Sequence, residues 1–519
     1  MAEYLWGKWP MKKLSLIIFL LISFSSLAQN WQWAKNVTYT FAPDGNHLAA
    51  GESGNFYMST NSSTVGTCLS EFDMMGNEIW RNYISGSITI NGITYTSNFV
   101  YITGAFENTV QIGTYTLTSS GLHDAFIACA KPGGVFVWAK SIGGAKEDYA
   151  NAICPDKKGN IYITGHYSDT VKFGTSTFVC QGTENLFVSK LDKNGNILYS
   201  KSAGSKDSAR GSRGTKIKVD SCGNMIVFGD FSDIVLDTCH LSGSGPYGDQ
   251  YFCKLDSTGS TQWLKPMATF TDKYCDMELD DSCNILGAGS GGWTNGGWTI
   301  TRKHTPAGQQ VWSKGLYQWH DSYYACAIAT DGKNSFIVGS AQLHYHPDWT
   351  SYNFFLLAKY DASGTLQYND TIKIDTCCTY WNFTSGADIV RDSYGDYIIV
   401  GGMKGTFNLG SYSLTAPVTQ VFITRFSDTK IATNIVAKKQ NIESIIYPNP
   451  STGIFTISLK DKTAKTQICV RDVLGNCIFN RHYQNEIAFE LDLSSHAKGI
   501  YLIEMISGNQ RTAKKVILE

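Results

Sequence analysis

The chain has 519 residues and a formal net charge of −1, with charged residues at 17% and aromatic residues at 13%. A charge balance this flat, with no basic stripe, excludes binding driven by nucleic-acid phosphates, so no nucleic-acid partner is expected. Glycine stands at 50 against 11 prolines, and strand and turn formers outweigh helix formers, which points to an all-β chain.

At the N-terminus, Lys12 and Lys13 precede an apolar run from Leu14 to Leu27 that only serines interrupt, and Ser26-Leu27-Ala28 offers small residues for cleavage. Residues 1–28 are expected to be a signal peptide, with Met11 as an alternative start. The run is too short for a membrane span, and no Cys follows the cleavage point to carry a lipid. All 14 cysteines lie beyond it, without a C-x-x-C pair, and Cys377-Cys378 is vicinal. That usage suits packed thiols such as Cys129, Cys253 and Cys326, or occasional bridges, rather than a metal centre.

From residue 29 to 428 the chain repeats itself. Trp33, Trp80, Trp138, Tyr199, Trp263, Trp312 and Tyr368 each open a short strand, at spacings of roughly 47 to 64 residues. That spacing is close to one four-stranded propeller blade. Turns of the D-x-x-G type recur: Asp73–Asn77, Asp256–Ser260 and Asp361–Thr365 follow the third strand of a period. Asp220–Asn224, Asp331–Asn334 and Asp392–Asp396 follow the first. Glycine supplies positive φ and the Asp side chain bonds the turn backbone, so these read as hairpin turns and not as calcium loops. Repeat two lacks such a turn before FVYITG, and repeat five (DDSCNILGAGSGGW) is eroded. The chain opens on a fourth strand, Trp31 to Lys35, and the last repeat ends on a third, Val421 to Phe426. Pairing these two would close a ring and leave no open edge.

The blocks KEDYANAI, DKKGNIYITG and LFVSKLDKNGNILYSK resemble the bacterial β-propeller repeats of exported seven-bladed proteins. The expected body is therefore an all-β, seven-bladed β-propeller closed by the N-terminal strand. Residues 429–441 (TKIATNIVAKKQN) read as a polar linker.

The texture changes at residues 442–519. Pro448, Asn449, Pro450 and Gly453 open this segment, Asp472 and Gly475 hold a central hairpin turn, and Gly499 and Tyr501 form G-x-Y. Lys514, Lys515 and Val516 lie in a terminal basic strand. In this order the blocks resemble the C-terminal sorting domain of the type IX secretion pathway of Bacteroidetes. Alternation in IFTISL and IYLIEM fits a small immunoglobulin-like β-sandwich. The resemblance implies recognition by the outer-membrane translocon and a sorting peptidase, removal of the domain, and a secreted or cell-surface destination.

No nucleophile elbow, H-E-x-x-H or P-loop is present. His344 and His346 could face one way on a strand, though Pro347 suggests a loop. Trp293 and Trp298 lie in a glycine-rich hairpin where aromatics can stack on sugars. Asp44, Asp148, Asp207, Asp272 and Asp321 each stand just before a first strand. If first strands line a central channel, these carboxylates converge at the funnel mouth and call for a cation such as Ca²⁺; if each caps its own turn, no cofactor is needed. Three readings follow: a surface or secreted module binding a glycan or protein, a glycan-active hydrolase or lyase with its site in the funnel, or a structural coat component. The symmetric repetition of the turn carboxylates favours binding.

Overall fold

The computed structural model describes residues 30–40, 46–62, 66–204, 211–243, 249–268, 272–293, 296–317, 322–345, 350–373, 386–428, 444–459, 466–472, 477–483, 486–507 and 510–519. The signal segment 1–28, the linker 429–441, and Asp44, Asp207, Asp321, His346 and Gly475 lie outside the described residues. The chain divides into two compact units, Met1–Lys430 and Ile431–Glu519.

The first unit is a succession of four-stranded antiparallel meanders. Asp148–Pro155, Ile161–Tyr167, Asn185–Leu191 and Ile197–Ala203 form one, and Ser212–Val219, Met225–Phe231, Asp249–Leu255 and Thr261–Ala268 the next. The long strand Glu78–Thr96 serves two meanders: its start pairs with Gly66–Phe72 and its end with Phe99–Ile112. In the last meander, Asn30–Thr40 lies beside Tyr412–Ser427, with Trp31 opposite Phe426 and Val37 opposite Val421. These pairings give an all-β, β-propeller-like architecture.

Burial explains why the second strands lack alternation. Every residue of Ile161–Tyr167 is buried, because both sheet faces are covered. Ile161 and Ile163 pack with Tyr101 and Ile127 of the preceding meander, whereas Tyr162 packs with Ile217 and Val227 of the following one. The same rule joins the first and last strands of this unit: Trp33 and Val37, Phe56 and Phe72, and Ile398 and Ile423 share one core.

The turns follow the Asp-Gly logic. Asp220 Oδ1 accepts from Cys222 N and Asn224 N, both at 2.9 Å, and Gly223 sits at φ +85°. Two irregular repeats have local causes. Repeat two reverses through Ser97 and Asn98, at φ +51° and +63°, a two-residue hairpin turn that needs no Asp or Gly. Repeat five keeps its turn at Asp280–Asn284, but Cys283 takes the left-handed position at φ +58° that glycine holds elsewhere.

The second unit has two sheets on one core. Ser444–Tyr447, Ile454–Leu459 and Ala488–Asp492 form a three-stranded sheet. Cys477–Tyr483, Thr466–Arg471, Gly499–Ser507 and Gln510–Leu518 form a four-stranded one. Phe455, Ile457, Ile468, Val470, Ile503 and Val516 are buried between them.

Candidate functional site

The first strand of each meander contributes to the wall of one channel of about 460 Å³. Register defines the lining. His47 lies opposite Ser59, Gly92 opposite Thr103, Ala152 opposite Thr164, Lys216 opposite Phe228, Asp276 opposite Ala288 and Asp388 opposite Val400. All six line the channel. Two residues further along each strand, Ala49, Thr94, Cys154, Lys218, Glu278 and Val390 form a second layer. The wall is asymmetric, with charges on adjoining strands and small residues, Gly92 and Ala152, making room opposite.

The charges are paired. Lys216 Nζ lies 3.2 Å from Asp276 Oδ1, and Lys218 Nζ 2.5 Å from Glu278 Oε2. Asp276 Oδ2 also accepts from Ile328 N at 3.0 Å, and Asp388 Oδ2 from Leu48 N at 2.7 Å, so each carboxylate ties its strand to the neighbouring one. Burial disfavours the Lys216 ammonium, yet the charges of Asp276 and Asp388 outweigh it and raise its pKa. Burial, reinforced by Asp276, pushes Asp388 up to about 6. Burial lowers His47 to about 4, which leaves it neutral, and its Nε2 is buried without a hydrogen-bond partner. Asn91 and Asn151 add amides to the wall, donating to Ala150 O and Gly214 O.

Near the channel, three rings stack: Tyr149 lies 5.4 Å from His123 and 5.0 Å from His166, centroid to centroid. Glu147 Oε2 meets His123 Nδ1 at 2.8 Å and accepts from Tyr149 Oη at 2.9 Å.

Of the residues singled out in the sequence, Asp148 is buried at the start of its strand, where its Oδ2 accepts from Gly144 N at 2.7 Å; it does not line the channel. Asp272 pairs through its backbone with Gly291. Trp298 is half-buried and meets Tyr317 edge-on at 6.5 Å. The side chains of Asp272, Trp293 and His344 lie outside the described residues. Among the described residues no group of three or more His, Cys, Asp or Glu has a metal-holding arrangement. Sequence reasoning missed Lys216, Lys218, Asp276, Glu278 and Asp388. The signal that could have found them is the Lys-x-Lys of one first strand matched by the Asp-x-Glu of the next.

In the second unit the opening and closing sorting motifs meet. Asn449 Nδ2 donates to Lys515 O at 3.0 Å, and Asn449 Oδ1 accepts from Ile517 N at 2.9 Å. Ser451 N donates to Ile517 O, and Glu519 N to Ser451 O. Pro448, Pro450, Gly453, Ser494 and Glu519 border a surface cavity of about 510 Å³. Gly499 faces Leu518 and Tyr501 faces Val516 across the last two strands, with Lys514 opposite Ile503.

A β-propeller-like body followed by a small two-sheet domain is thus the class of protein that the geometry defines. Residues 445–519 match the family model described as the secretion system C-terminal sorting domain, and this segment is a type IX sorting domain. The chain is 25% identical over 201 residues to an uncharacterised WD repeat-containing protein of Acanthamoeba polyphaga mimivirus, a match covering 32% of this chain and 14% of that relative's length. Similar solved structures include a Lactobacillus plantarum protein at 11% identity, covering 71% of this chain and 98% of that one, with a TM-score of 0.40. A fungal alcohol oxidase in complex with copper aligns at 13% identity over 95% of this chain and 99% of that one, with a TM-score of 0.37. Drosophila Plexin A in complex with Semaphorin 1b aligns at 7% identity over 77% of this chain and 87% of that one, with a TM-score of 0.39. The sorting domain implies interaction with the type IX secretion machinery and points to a secreted or outer-surface protein. Among the described residues, no helix is long and apolar enough to cross a membrane.

Proposed function

We propose that the chain is an exported, surface-displayed or secreted, seven-bladed β-propeller that binds the polar end of a glycan in its central channel. The closed ring is supported by the pairing of Asn30–Thr40 with Tyr412–Ser427 and by the core that Trp33 shares with Phe56 and Phe72. In this reading the second unit is an immunoglobulin-like sandwich that is removed after delivery, and residues 1–28 are a signal peptide.

The observation that carries the binding role is the channel wall. Lys216, Lys218, Asn91 and Asn151 supply donors there, and Asp276, Glu278 and Asp388 supply acceptors. Hydroxyl groups both donate and accept, so a sugar can meet such a mixed wall without a charge of its own. The volume of about 460 Å³ suits a small ligand or the tip of a longer one, and not a folded protein. Binding is favoured over glycan hydrolysis or elimination because the carboxylates of Asp276, Glu278 and Asp388 are each engaged, by a lysine, by backbone N–H groups, or by both. None of these three is left as a free acid or base. A coat component without a ligand gives no reason for mixed charges on a channel wall.

A glycan array probed with the full chain tests this. Binding to a defined glycan, lost on Lys216→Met, is the expected result. Retention of that binding by the variant sinks the channel assignment.

A further inference from the structure

Two aspartates are buried beside one another where the strand Tyr115–Ala130 meets the start of Asp148–Pro155. Asp124 and Asp148 are each 1% exposed. In each, one oxygen is engaged: Asp124 Oδ2 accepts from Ser120 N at 3.0 Å, and Asp148 Oδ2 from Gly144 N at 2.7 Å. The Oδ1 atoms of both are buried without a hydrogen-bond partner. Burial raises the pKa of both, and the charge of Asp124 adds to the rise at Asp148, which reaches about 7. A carboxylate oxygen sealed from water beside a like charge calls for a proton or a cation.

Glycines let the backbone of this junction pack closely against the pair and against neighbouring main-chain oxygens. A Cβ on Gly143 would lie 2.4 Å from Asp124 Oδ1, and one on Gly144 would lie 1.9 Å from Thr170 O. One on Gly121 would lie 2.4 Å from Ala145 O and 2.6 Å from Gly144 O. The fold does not require acids at every such junction. By register, Asp124 opposite Phe106 corresponds to Asn185 opposite Tyr167, and Asp148 opposite Tyr167 corresponds to Ser212 opposite Phe231. That neutral pair is satisfied: Asn185 Oδ1 accepts from Gln181 N at 3.2 Å, and Ser212 Oγ donates to Asp233 O at 3.1 Å.

We propose that Asp124 and Asp148 bind one hard divalent cation, Ca²⁺ by its preference for oxygen ligands, with carbonyls of the Gly143–Ala145 turn and Thr170 and water completing its shell. The cation would neutralise the pair and lock the turn that links two successive meanders. The site stands apart from the channel, which neither aspartate lines, so it does not depend on the glycan reading.

The test is equilibrium dialysis of the full chain with radioactive Ca²⁺ at pH 7.5, after removal of metal by a chelator. Asp249 and Asp272 hold the same register positions two junctions on, facing Phe231 and Gly291, so bound equivalents are counted rather than total binding. Wild type is expected to bind Ca²⁺ and to melt at a higher temperature in its presence. Asp124→Asn and Asp148→Asn are each expected to bind one equivalent fewer while melting, in chelator, no lower than wild type. Unchanged stoichiometry in both variants overturns the proposal. So does a wild type that binds no Ca²⁺ and is stabilised only by lowering the pH, which would mean a shared proton.

Discussion

The indole Nε1 of Trp33 donates to the carbonyl of Met74 at 2.9 Å, and its ring lies so close under Gly76 that a Cβ there would sit 2.6 Å from it. The contact recurs through the body. Trp138 meets the turn at Gly195, Tyr199 that at Gly259, Trp263 that at Gly308 and Trp312 that at Gly364. Two residues on, a lysine donates to the same turn: Lys140 to Gly195 O, Lys201 to Gly259 O and Lys265 to Ala307 O. The aromatic landmark of one repeat is thus the bolt that seats on the glycine turn of the next. Trp33→Ala is expected to cost about 3–5 kcal/mol, as for other buried tryptophans. Gly76→Ala, forced to φ +72° against the ring, is expected to destabilise by more than 1 kcal/mol. Urea midpoints measure both, and neutral substitutions would refute the bolt.

Removing one partner of the channel pair should hurt more than removing both. Asp276→Ala leaves Lys216 and the Ile328 N–H without their acceptor. The pair is partly solvated, so the expected loss is roughly 2–3 kcal/mol, between the exposed and buried ranges. Adding Lys216→Met should recover part of it, and a double-mutant cycle reads the coupling. Strictly additive effects would show that the two do not interact.

Cys283 occupies a left-handed turn position at φ +58°. Glycine adopts that conformation without the Cβ penalty, so Cys283→Gly should raise stability by about 1 kcal/mol. An unchanged or lowered melting temperature would contradict the assigned strain.

Asp148 is pushed up to about 7 by burial, then by Asp124, whereas an unfolded aspartate titrates near ~3.9. Between these values the folded chain holds more protons than the unfolded one, so stability falls as pH rises from about 4 to about 7. Above that window the contribution is flat. Measured in chelator, Asp148→Asn should remove this part of the slope; identical pH profiles for variant and wild type would rule it out.

The parts of the fold legible in the sequence are those with one local cause. D-x-x-G turns carry their own hydrogen bonds, and the aromatic period marks each fourth strand. The targets of those aromatics were hidden because each sits in another repeat, 41 residues away for Trp33 and Met74. Ser97-Asn98 concealed a turn because positive φ there falls to residues other than glycine. The channel was hardest to see. Lys216, Asp276 and Asp388 hold one register position, but each repeat fills it differently, so no motif repeats. Asp148 was visible before its strand, yet its neighbour Asp124 lies 24 positions earlier and reads as an ordinary strand residue. The sorting motifs stood out because Pro448 to Gly453 and Lys514 to Val516 combine rare turn chemistry with a terminal strand, although their contact through Asn449 was not foreseeable.

Channel binding is tested most directly by the glycan array, run on the full chain as wild type, Lys216→Met and Asp276→Ala, with Trp298→Ala as a control outside the channel wall. The expected result is a glycan that binds wild type and Trp298→Ala alike and is lost from both channel variants. Binding that survives both channel substitutions, or no glycan binding at all, would contradict it.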